Sequence, residues 1–242
     1  MKAMTGLLKE TPLRHGLPTV KICGITLQET LDAIEALSQP PEYIGFVFAP
    51  SRREVTPDVF STFRLGTLKS RKVGVFVQPS LERIDKVLEH GELDVIQLSG
   101  DEPESFVRAV RERYRLPVIK TYRPEALTPG RASEPSSTSS NQSLLPESDV
   151  VLLDTSLPGH YGGTGKTFDW MHIERWRALT IRLEKPLWVA GGITPDNVSM
   201  LLSRYDVDGV DVSSGVETDG KKDIQKIKTL LSVVRSIRGL HG

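Results

Sequence analysis

The sequence is short of cysteine and carries no net charge. Its single cysteine excludes an intramolecular disulfide and fits a reducing compartment, so we expect a cytoplasmic protein. The 31 basic and 31 acidic residues cancel, which leaves no global positive field to attract nucleic acid or an anionic membrane. We therefore expect neither as a partner, and local groups must hold any anionic ligand.

The sequence also lacks membrane, metal and secretion signals. No apolar run approaches the roughly 20 residues that a membrane helix needs. The five histidines show no metal-ligand spacing, and neither HExxH nor paired cysteines occur, so we expect no metal ion. Residues 1–18 lack the apolar centre of a secretory signal. Their lack of acidic residues before Glu10 is loosely typical of a transit peptide, but we interpret them as a short disordered extension.

Eight short β-rich runs alternate with longer helical patterns. Several runs are nearly continuous apolar stretches, which is typical of strands covered on both faces of a parallel sheet. The predicted strands are residues 19–23, 43–48, 72–77, 94–98, 116–122, 150–154, 187–190 and 208–212. At this length we predict an α/β fold that closes into one (β/α)8 TIM-barrel domain over residues 19–242, with an open doubly wound sheet as the alternative.

Apolar side chains at spacings of three and four residues predict helices in most of the connections. One predicted helix should begin with Thr194 as N-cap and Pro195 at the first helical position. Residues 123–149 are rich in proline and serine and show no apolar stripe, so we expect a loop there instead of a helix. The predicted helices are residues 27–38, 81–90, 103–114, 194–205 and 221–238.

The end of the first predicted strand carries the cysteine. In barrels of this class the site lies at the carboxyl ends of the strands. A lone buried cysteine is usually a small core residue, but Cys23 stands at a strand end, directly before Gly24. A thiol acts as a base only as thiolate, so the site must lower its pKa or supply a cation. Alternation places Lys21 on the same side as Cys23, with Ile22 on the other.

The sixth predicted strand ends in a carboxylate, Asp154. A carboxylate after an apolar run is costly unless it is paired or used, and partial burial would raise its pKa and suit it to act as an acid. The alternative is a cap for the following loop. That loop contains GGTGKT at residues 162–167, but Gly159 is one position away from where a nucleotide-binding P-loop needs glycine. A lid with glycine hinges is the favoured interpretation.

Glycine- and serine-rich turns follow the seventh and eighth predicted strands. They are Gly191-Gly192 and Ser213-Ser214-Gly215. Glycine lets main-chain N–H groups approach an anion, and phosphate commonly lies at these two loops of a barrel. On the second loop, Arg52 and Arg53 could pair with a planar carboxylate, or they could be a solvated surface pair.

Seven blocks of the sequence, taken together and in this order, resemble the phosphoribosylanthranilate isomerases. The resemblance implies an Amadori rearrangement of N-(5-phospho-β-D-ribosyl)anthranilate to 1-(2-carboxyphenylamino)-1-deoxy-D-ribulose 5-phosphate, in L-tryptophan biosynthesis and without a cofactor. The blocks are KICGIT (21–26), GFVFAPSRREVTP (45–57), VGVFV (73–77), LLDT (152–155), GGTGKTFDW (162–170), AGGITPDNV (190–198) and VDVSSGVE (210–217).

The same resemblance implies roles for individual residues. Asp154 would protonate the ring oxygen and Cys23 would remove the C2′ proton. Arg53 best matches the arginine that would hold the anthranilate carboxylate. Arg52 is the alternative, because the loop before Arg53 is one residue shorter than in some members. Ser99 stands where the family often has a histidine. The residues expected at the substrate are Lys21, Arg52, Arg53, Gln97, Gly162, Gly163 and Asp211, and those expected at the phosphate are Gly191, Gly192, Ser213, Ser214 and Gly215.

Two other functions remain as alternatives. The phosphosugar-isomerase barrel of histidine biosynthesis resembles this family in reaction but uses two aspartates, and Cys23 argues against it. A non-catalytic phosphate-binding barrel should keep the glycine turns but lack the acid–base pair. The expected partner is a small phosphosugar, and we expect a monomer.

Overall fold

The computed structural model describes residues 17–123, 146–154 and 170–237. Eight parallel strands pair in sequence order and close into a barrel, with β8 beside β1. The predicted TIM barrel is therefore confirmed. The strands are β1 Thr19–Cys23, β2 Tyr43–Val47, β3 Arg71–Phe76, β4 Val95–Leu98, β5 Val118–Tyr122, β6 Val150–Asp154, β7 Leu187–Ala190 and β8 Gly209–Val212.

Helices connect the strands except between β5 and β6, where most of the connection lies outside the described residues. A two-stranded hairpin, β9 Glu217–Thr218 and β10 Lys221–Lys222, follows β8. No helix among the described residues is long and apolar enough to cross a membrane. The helices are α1 Gln28–Glu35, α2 Pro57–Ser61, α3 Leu81–Leu88, α4 Glu104–Tyr114, α5 Met171–Arg182, α6 Val198–Arg204 and α7 Ile224–Ser236.

Two helices were not among the predicted ones, for different reasons. Helix α2 has only five residues, too few to show periodicity, and it is fixed by Thr56, whose hydroxyl accepts a bond from the Val59 N–H. Helix α5 is long, but its inward face includes Arg177 and Thr180, which are buried polar residues. Arg177 donates to the carboxylates of Asp206 and Asp208. These polar positions interrupt the apolar stripe by which a helix is recognised.

The predicted start of α6 is wrong. The helix begins at Val198 with Asn197 as its N-cap, and Pro195 lies in a preceding turn. The side chain of Asn197 accepts a 2.8 Å bond from the Thr194 N–H and donates a 2.9 Å bond to the Gly192 carbonyl. These two hydrogen bonds stabilise a turn where the first helical turn was predicted, and they fix the loop after β7.

The predicted start of α7 is also wrong. Lys221–Lys222 belongs to the hairpin, and the helix begins at Ile224. Asp223 is the N-cap, because its carboxylate accepts bonds from the Gln225 and Lys226 N–H groups. The N-terminal extension and the loop predicted between β5 and β6 lie largely outside the described residues, so both stay predictions.

The core consists of two separate layers. The larger layer packs outward-facing strand residues against the helices, and the smaller one fills the barrel interior. Trp188 of β7 is the largest fully buried side chain and meets the Tyr43 ring edge-on, with 5.0 Å between the centroids. Gly209 gives the indole its space, because a Cβ there would lie 2.7 Å from the ring. The interior is therefore filled below the level of the mouth.

Replacing Trp188 by alanine should lower the free energy of unfolding by roughly 3–5 kcal/mol, because it leaves a cavity inside a closed barrel that cannot collapse. Urea unfolding measures this change. Met200, an exposed apolar side chain on α6, is the matched control, and its replacement by alanine should change the same quantity by no more than about 0.5 kcal/mol. Equal effects at the two positions would contradict the assignment of Trp188 to the filled interior.

Candidate active site

A buried ion pair lies at the centre of the barrel mouth. Lys21 of β1 and Asp211 of β8 are register partners on neighbouring strands, and Lys21 Nζ lies 2.7 Å from Asp211 Oδ2. Cys23 lies two residues further along β1 and belongs to the interior layer, whereas Ile22 belongs to the outer layer. The predicted orientation of Lys21 and Cys23 is confirmed, and the charge of the lysine acts on the pKa of the thiol.

Burial and charge act in opposite directions on these three groups. Burial raises the pKa of the Cys23 thiol, while the Lys21 ammonium lowers it. Burial also raises the pKa of Asp211, against the effect of Lys21. For Lys21, burial lowers the pKa, but Asp211 and Cys23 outweigh it and the net shift is upward. The site therefore contains the cationic partner that a thiolate needs, held permanently charged.

Two glycines make room for the thiol and the arginine beside it. A Cβ at Gly45 of β2 would lie 2.9 Å from Cys23 Sγ and 3.1 Å from Lys21 Cε. Gly24 has a φ of +82°, and a Cβ there would overlap the side chain of Arg53. Glycine is therefore needed on both sides of Cys23, at Gly45 for space and at Gly24 for backbone conformation.

Asp154 lies on the side of the mouth opposite β2. Its register partner on β7 is Ala190, an interior residue, and Ala190 is in turn the partner of Asp211, so both carboxylates belong to the interior face of the barrel. The charge of Asp154 raises the pKa of Asp211, so the two carboxyl groups interact electrostatically. Asp211 thus lies within electrostatic reach of both Cys23 and Asp154.

Gln97 of β4 is the buried amide of the interior. Its Nε2 donates a 3.0 Å bond to Ser99 Oγ, and that hydroxyl lies 3.1 Å from Thr121 Oγ1. Ser99, at the family's histidine position, is therefore part of a polar chain that orients the amide. Gln97 Oε1 and Asp211 Oδ1 are both buried without a hydrogen-bond partner among the described residues. Unpaired buried acceptors are costly, which favours a ligand that donates to them.

The predicted phosphate residues meet at one corner of the mouth. Gly191 and Gly192 have φ values of +92° and +65°, a left-handed conformation that suits glycine. A Cβ at Gly215 would overlap the carbonyl oxygen of Ile193, so the loops after β7 and β8 are pressed together. The residues Ser214–Val216 form a single 3-10 turn. This corner can present main-chain N–H groups to an anion.

Ser213 differs from its neighbours in how its side chain is used. Its hydroxyl donates a 3.0 Å bond to the Cys23 carbonyl and accepts a 3.3 Å bond from Lys222 Nζ. The side chain therefore joins the loop after β8 to the end of β1. Any bond from Ser213 to phosphate would come from its main-chain N–H.

Both arginines of the β2–α2 loop bind Glu217, a residue that the sequence did not single out. Arg53 uses Nε and Nη2 at 2.7 and 2.9 Å, and Arg52 uses Nη2 at 2.9 Å. The Arg53 side chain is 20% exposed and that of Arg52 is 55% exposed, so Arg53 is the one that belongs to the mouth. Lys222 lies 2.5 Å from Glu217 on the other side.

Glu217 and Lys222 could have been found from one local signal. The dipeptide Asp219-Gly220 has φ values of +50° and +76°, and such a pair between short strands is a strong hairpin signal. A hairpin there brings Lys222 back beside Glu217. Gly162 and Gly163, the remaining predicted substrate residues, lie outside the described residues.

The geometry defines a (β/α)8-barrel protein with a thiol, a carboxyl group and paired cations at its carboxyl-terminal mouth. Residues 20–233 match the model of the N-(5'-phosphoribosyl)anthranilate (PRA) isomerase family. An N-(5'-phosphoribosyl)anthranilate isomerase of Brevibacillus brevis is 41% identical over 219 residues, covering 90% of this chain and 93% of the relative. The chain belongs to this family.

Solved structures agree with the sequence comparison. The chain is similar to monomers generated from a dimeric phosphoribosylanthranilate isomerase of Thermotoga maritima, with a TM-score of 0.69, 32% identity and coverage of 91% and 100% of the two chains. It is also similar to a phosphoribosylanthranilate isomerase in complex with reduced 1-(o-carboxyphenylamino)-1-deoxyribulose 5-phosphate. That match has a TM-score of 0.68, 30% identity and the same coverage.

Replacing Glu217 by glutamine should lower the free energy of unfolding by about 3 kcal/mol at neutral pH, because the buried Lys222 ammonium loses its anionic partner. Burial alone would raise the pKa of Glu217, but hydrogen bonds from Arg53 and Lys222 lower it to about 2. A carboxylate whose folded pKa is lowered stabilises the protein above its unfolded pKa and loses that effect as the pH falls.

The difference in unfolding free energy between wild type and E217Q should therefore shrink as the pH falls from about 4.5 towards 2. Urea unfolding at stepped pH measures it, and the subtraction cancels the titration of groups that do not interact with Glu217. A difference that is constant across this window would show that the ionised carboxylate is not its source.

Proposed function

We propose that this chain rearranges N-(5-phospho-β-D-ribosyl)anthranilate to 1-(2-carboxyphenylamino)-1-deoxy-D-ribulose 5-phosphate, with Cys23 as base and Asp154 as acid. One observation carries the proposal. Asp211, ion-paired with Lys21 beside the thiol, shares its register partner Ala190 with Asp154, so these groups lie on one interior face of the barrel. An acid and a base can therefore reach one small ligand from two sides, which is what an acid–base isomerisation requires.

The first step opens the sugar ring. Asp154 donates its proton to the furanose oxygen, the C1′–O bond breaks, and the nitrogen lone pair forms the C1′=N iminium. Proton donation to a leaving oxygen is the usual work of a half-buried carboxyl group. The step places a positive charge next to C2′ and acidifies the hydrogen there.

The second step removes that hydrogen. The Cys23 thiolate takes the C2′ proton, and the electron pair moves to the iminium nitrogen, which gives the enolamine. Tautomerisation then adds a proton at C1′ and removes the one on O2′, leaving the ketone. Burial raises the pKa of the free thiol, so the thiolate depends on Lys21 and on the iminium charge that the first step creates.

Recognition follows from the remaining groups. Arg53 pairs with the anthranilate carboxylate, because its stem lies over Gly24 beside Cys23 and its exposure is lower than that of Arg52. The unpaired oxygens of Gln97 and Asp211 accept bonds from sugar hydroxyls. Backbone N–H groups around Gly192 and Ser213–Gly215 hold the phosphate. Gly162 and Gly163, which lie outside the described residues, stay predicted substrate residues.

We also propose that the protein is a monomer and that it is located in the cytoplasm. The large apolar side chains that are exposed among the described residues are few, and no two share a helix or strand, which supports a monomer. They are Leu17, Leu27, Val59, Val77, Ile181 and Met200. The Thermotoga maritima relative is described as dimeric, so assembly can differ within the family.

Replacing either Cys23 or Asp154 by alanine should reduce kcat at least a hundredfold, because each variant lacks one of the two proton-transfer groups. The loss of phosphoribosylanthranilate fluorescence measures turnover, and circular dichroism checks the fold. Ser61, an exposed hydroxyl at the end of α2, is a control whose replacement by alanine should leave turnover unchanged. More than a few per cent of wild-type activity in a folded variant would refute the role of the residue replaced.

Replacing Arg53 by alanine should chiefly raise KM, by roughly tenfold or more, because the residue binds a part of the substrate remote from the reacting bond. Steady-state kinetics measures KM and kcat separately. The matched comparison is Arg52→Ala. Arg52 is more exposed, lies on the same loop and binds the same Glu217 carboxylate. A larger rise in KM for Arg52→Ala would transfer the carboxylate-binding role to Arg52.

A further inference from the structure

The hairpin after β8 carries one buried lysine next to one exposed lysine. The side chain of Lys222 is 4% exposed, whereas Lys221 is exposed to solvent. Lys222 Nζ lies 2.5 Å from Glu217 Oε1, 3.1 Å from the Ser213 carbonyl and 3.3 Å from Ser213 Oγ. These contacts use the donors of the ammonium, and a buried cation needs such partners. Lys222 therefore acts on other protein groups and not directly on a ligand.

One chain of contacts leads from Lys222 to the thiol. Ser213 Oγ, which accepts from Lys222, donates to the carbonyl of Cys23. The charges of Lys21 on β1, Asp211 on β8 and Lys222 on β10 act on the pKa of the thiol, and the Arg53 side chain of the β2–α2 loop packs against Gly24 next to it. Burial raises the pKa of Cys23, and Asp211 adds to this, whereas Lys21 and Lys222 lower it. Lys222 is thus a cation that, with Lys21, favours the thiolate of Cys23.

A second chain of contacts leads from Lys222 to the arginine. Glu217 Oε1 accepts from Lys222 and from Arg53 Nε, while Glu217 Oε2 accepts from Arg53 Nη2. A carboxylate that binds two nitrogens of a guanidinium fixes the plane of that guanidinium. Arg53 Nη1 is outside this pair and makes no hydrogen bond within the described part of the chain, so it can bind a second carboxylate. Lys222 binds the same carboxylate at Oε1. It therefore helps to fix the orientation of Glu217, and with it that of Arg53.

We propose that Lys222 is a positioning residue that keeps a second positive charge beside Cys23 and, through Glu217, orients Arg53 towards the substrate carboxylate. This proposal rests on the proposed function, because Cys23 as base and Arg53 as carboxylate binder are roles in that reaction. It links the base of the reaction and the group that recognises the substrate to one ammonium on a hairpin.

The test uses the single cysteine of the chain as its own reporter. The rate of Cys23 alkylation by iodoacetamide is measured against pH in substrate-free protein, for wild type, K222M, K222R and K221M. The midpoint of the K222M profile should rise by roughly half a pH unit to one unit, because the thiolate loses a nearby cation. K222R keeps the charge and should restore the midpoint, and K221M, a loss of charge one residue away, should match wild type.

Steady-state kinetics on the same variants tests the second effect. K222M should raise KM at least threefold and lower kcat, whereas K221M should change neither. Thermal unfolding confirms that each variant is folded, and K222Q replaces K222M if the latter does not fold. A merely structural lysine would change the melting temperature without moving the alkylation midpoint. That result, in a folded variant, overturns the proposal.

The two proposals can fail separately. Alkylation needs no turnover, so a wild-type protein that is inactive on phosphoribosylanthranilate refutes the proposed function, while a shifted midpoint in K222M still supports the cation beside Cys23. An active wild type with an unshifted K222M midpoint refutes the role of Lys222 alone.

Discussion

The buried pair of Lys21 and Asp211 is the interaction on which the rest of the site depends. The pair joins β1 to β8 with a 2.7 Å contact, at the seam where the barrel closes. Burying two charges is expensive, and an ion pair in such a place adds little to stability compared with apolar residues. Its value is therefore chemical: the lysine stays charged beside the thiol, and one oxygen of the aspartate remains for a ligand.

A second group of charged side chains, Glu217 with Arg53 and Lys222, lies at the same barrel mouth. Glu217 binds Arg53 and Lys222, so the outer cations, like Lys21, are already matched by an acid in the free protein. Such matching keeps each long side chain in one geometry, and less freedom is lost when a ligand arrives. In our proposal the phosphate depends on backbone N–H groups at the loops after β7 and β8, in agreement with a chain of zero net charge.

Strand positions were predictable from the sequence, and contacts between loops were not. Each predicted strand overlaps the observed one, because parallel strands buried on both faces are apolar runs with little ambiguity. Alternation along β1 also predicted correctly that Lys21 and Cys23 share the interior. Helix starts were less certain, since Asn197 and the hairpin at Lys221–Lys222 compete locally with the helical pattern.

The partners of the predicted site residues were the harder part. Arg52 and Arg53 were identified, but their common acid, Glu217, lies 164 positions from Arg53, and no local pattern joins them. Helix α5 was missed because its buried face includes Arg177, which pairs with Asp208 next to β8, so the face is not a continuous apolar stripe. The roles of Cys23 and Asp154 came mainly from the resemblance, since an isolated thiol or carboxylate carries little information by itself.

The hydrogen bond from Ser213 to Cys23 spans 190 positions, as does the contact of Lys21 with Asp211. The ribosome synthesises β1 long before β8. For that time the nascent chain contains Cys23 and Lys21 without Asp211, the partner of the lysine. Loop closure over such a separation is also slow in folding. A truncated chain ending before β8 would lack Asp211, Ser213, Glu217 and Lys222 together, and with them the chemistry. Proton-transfer competence thus arises at a single late moment, when the two termini of the barrel are joined.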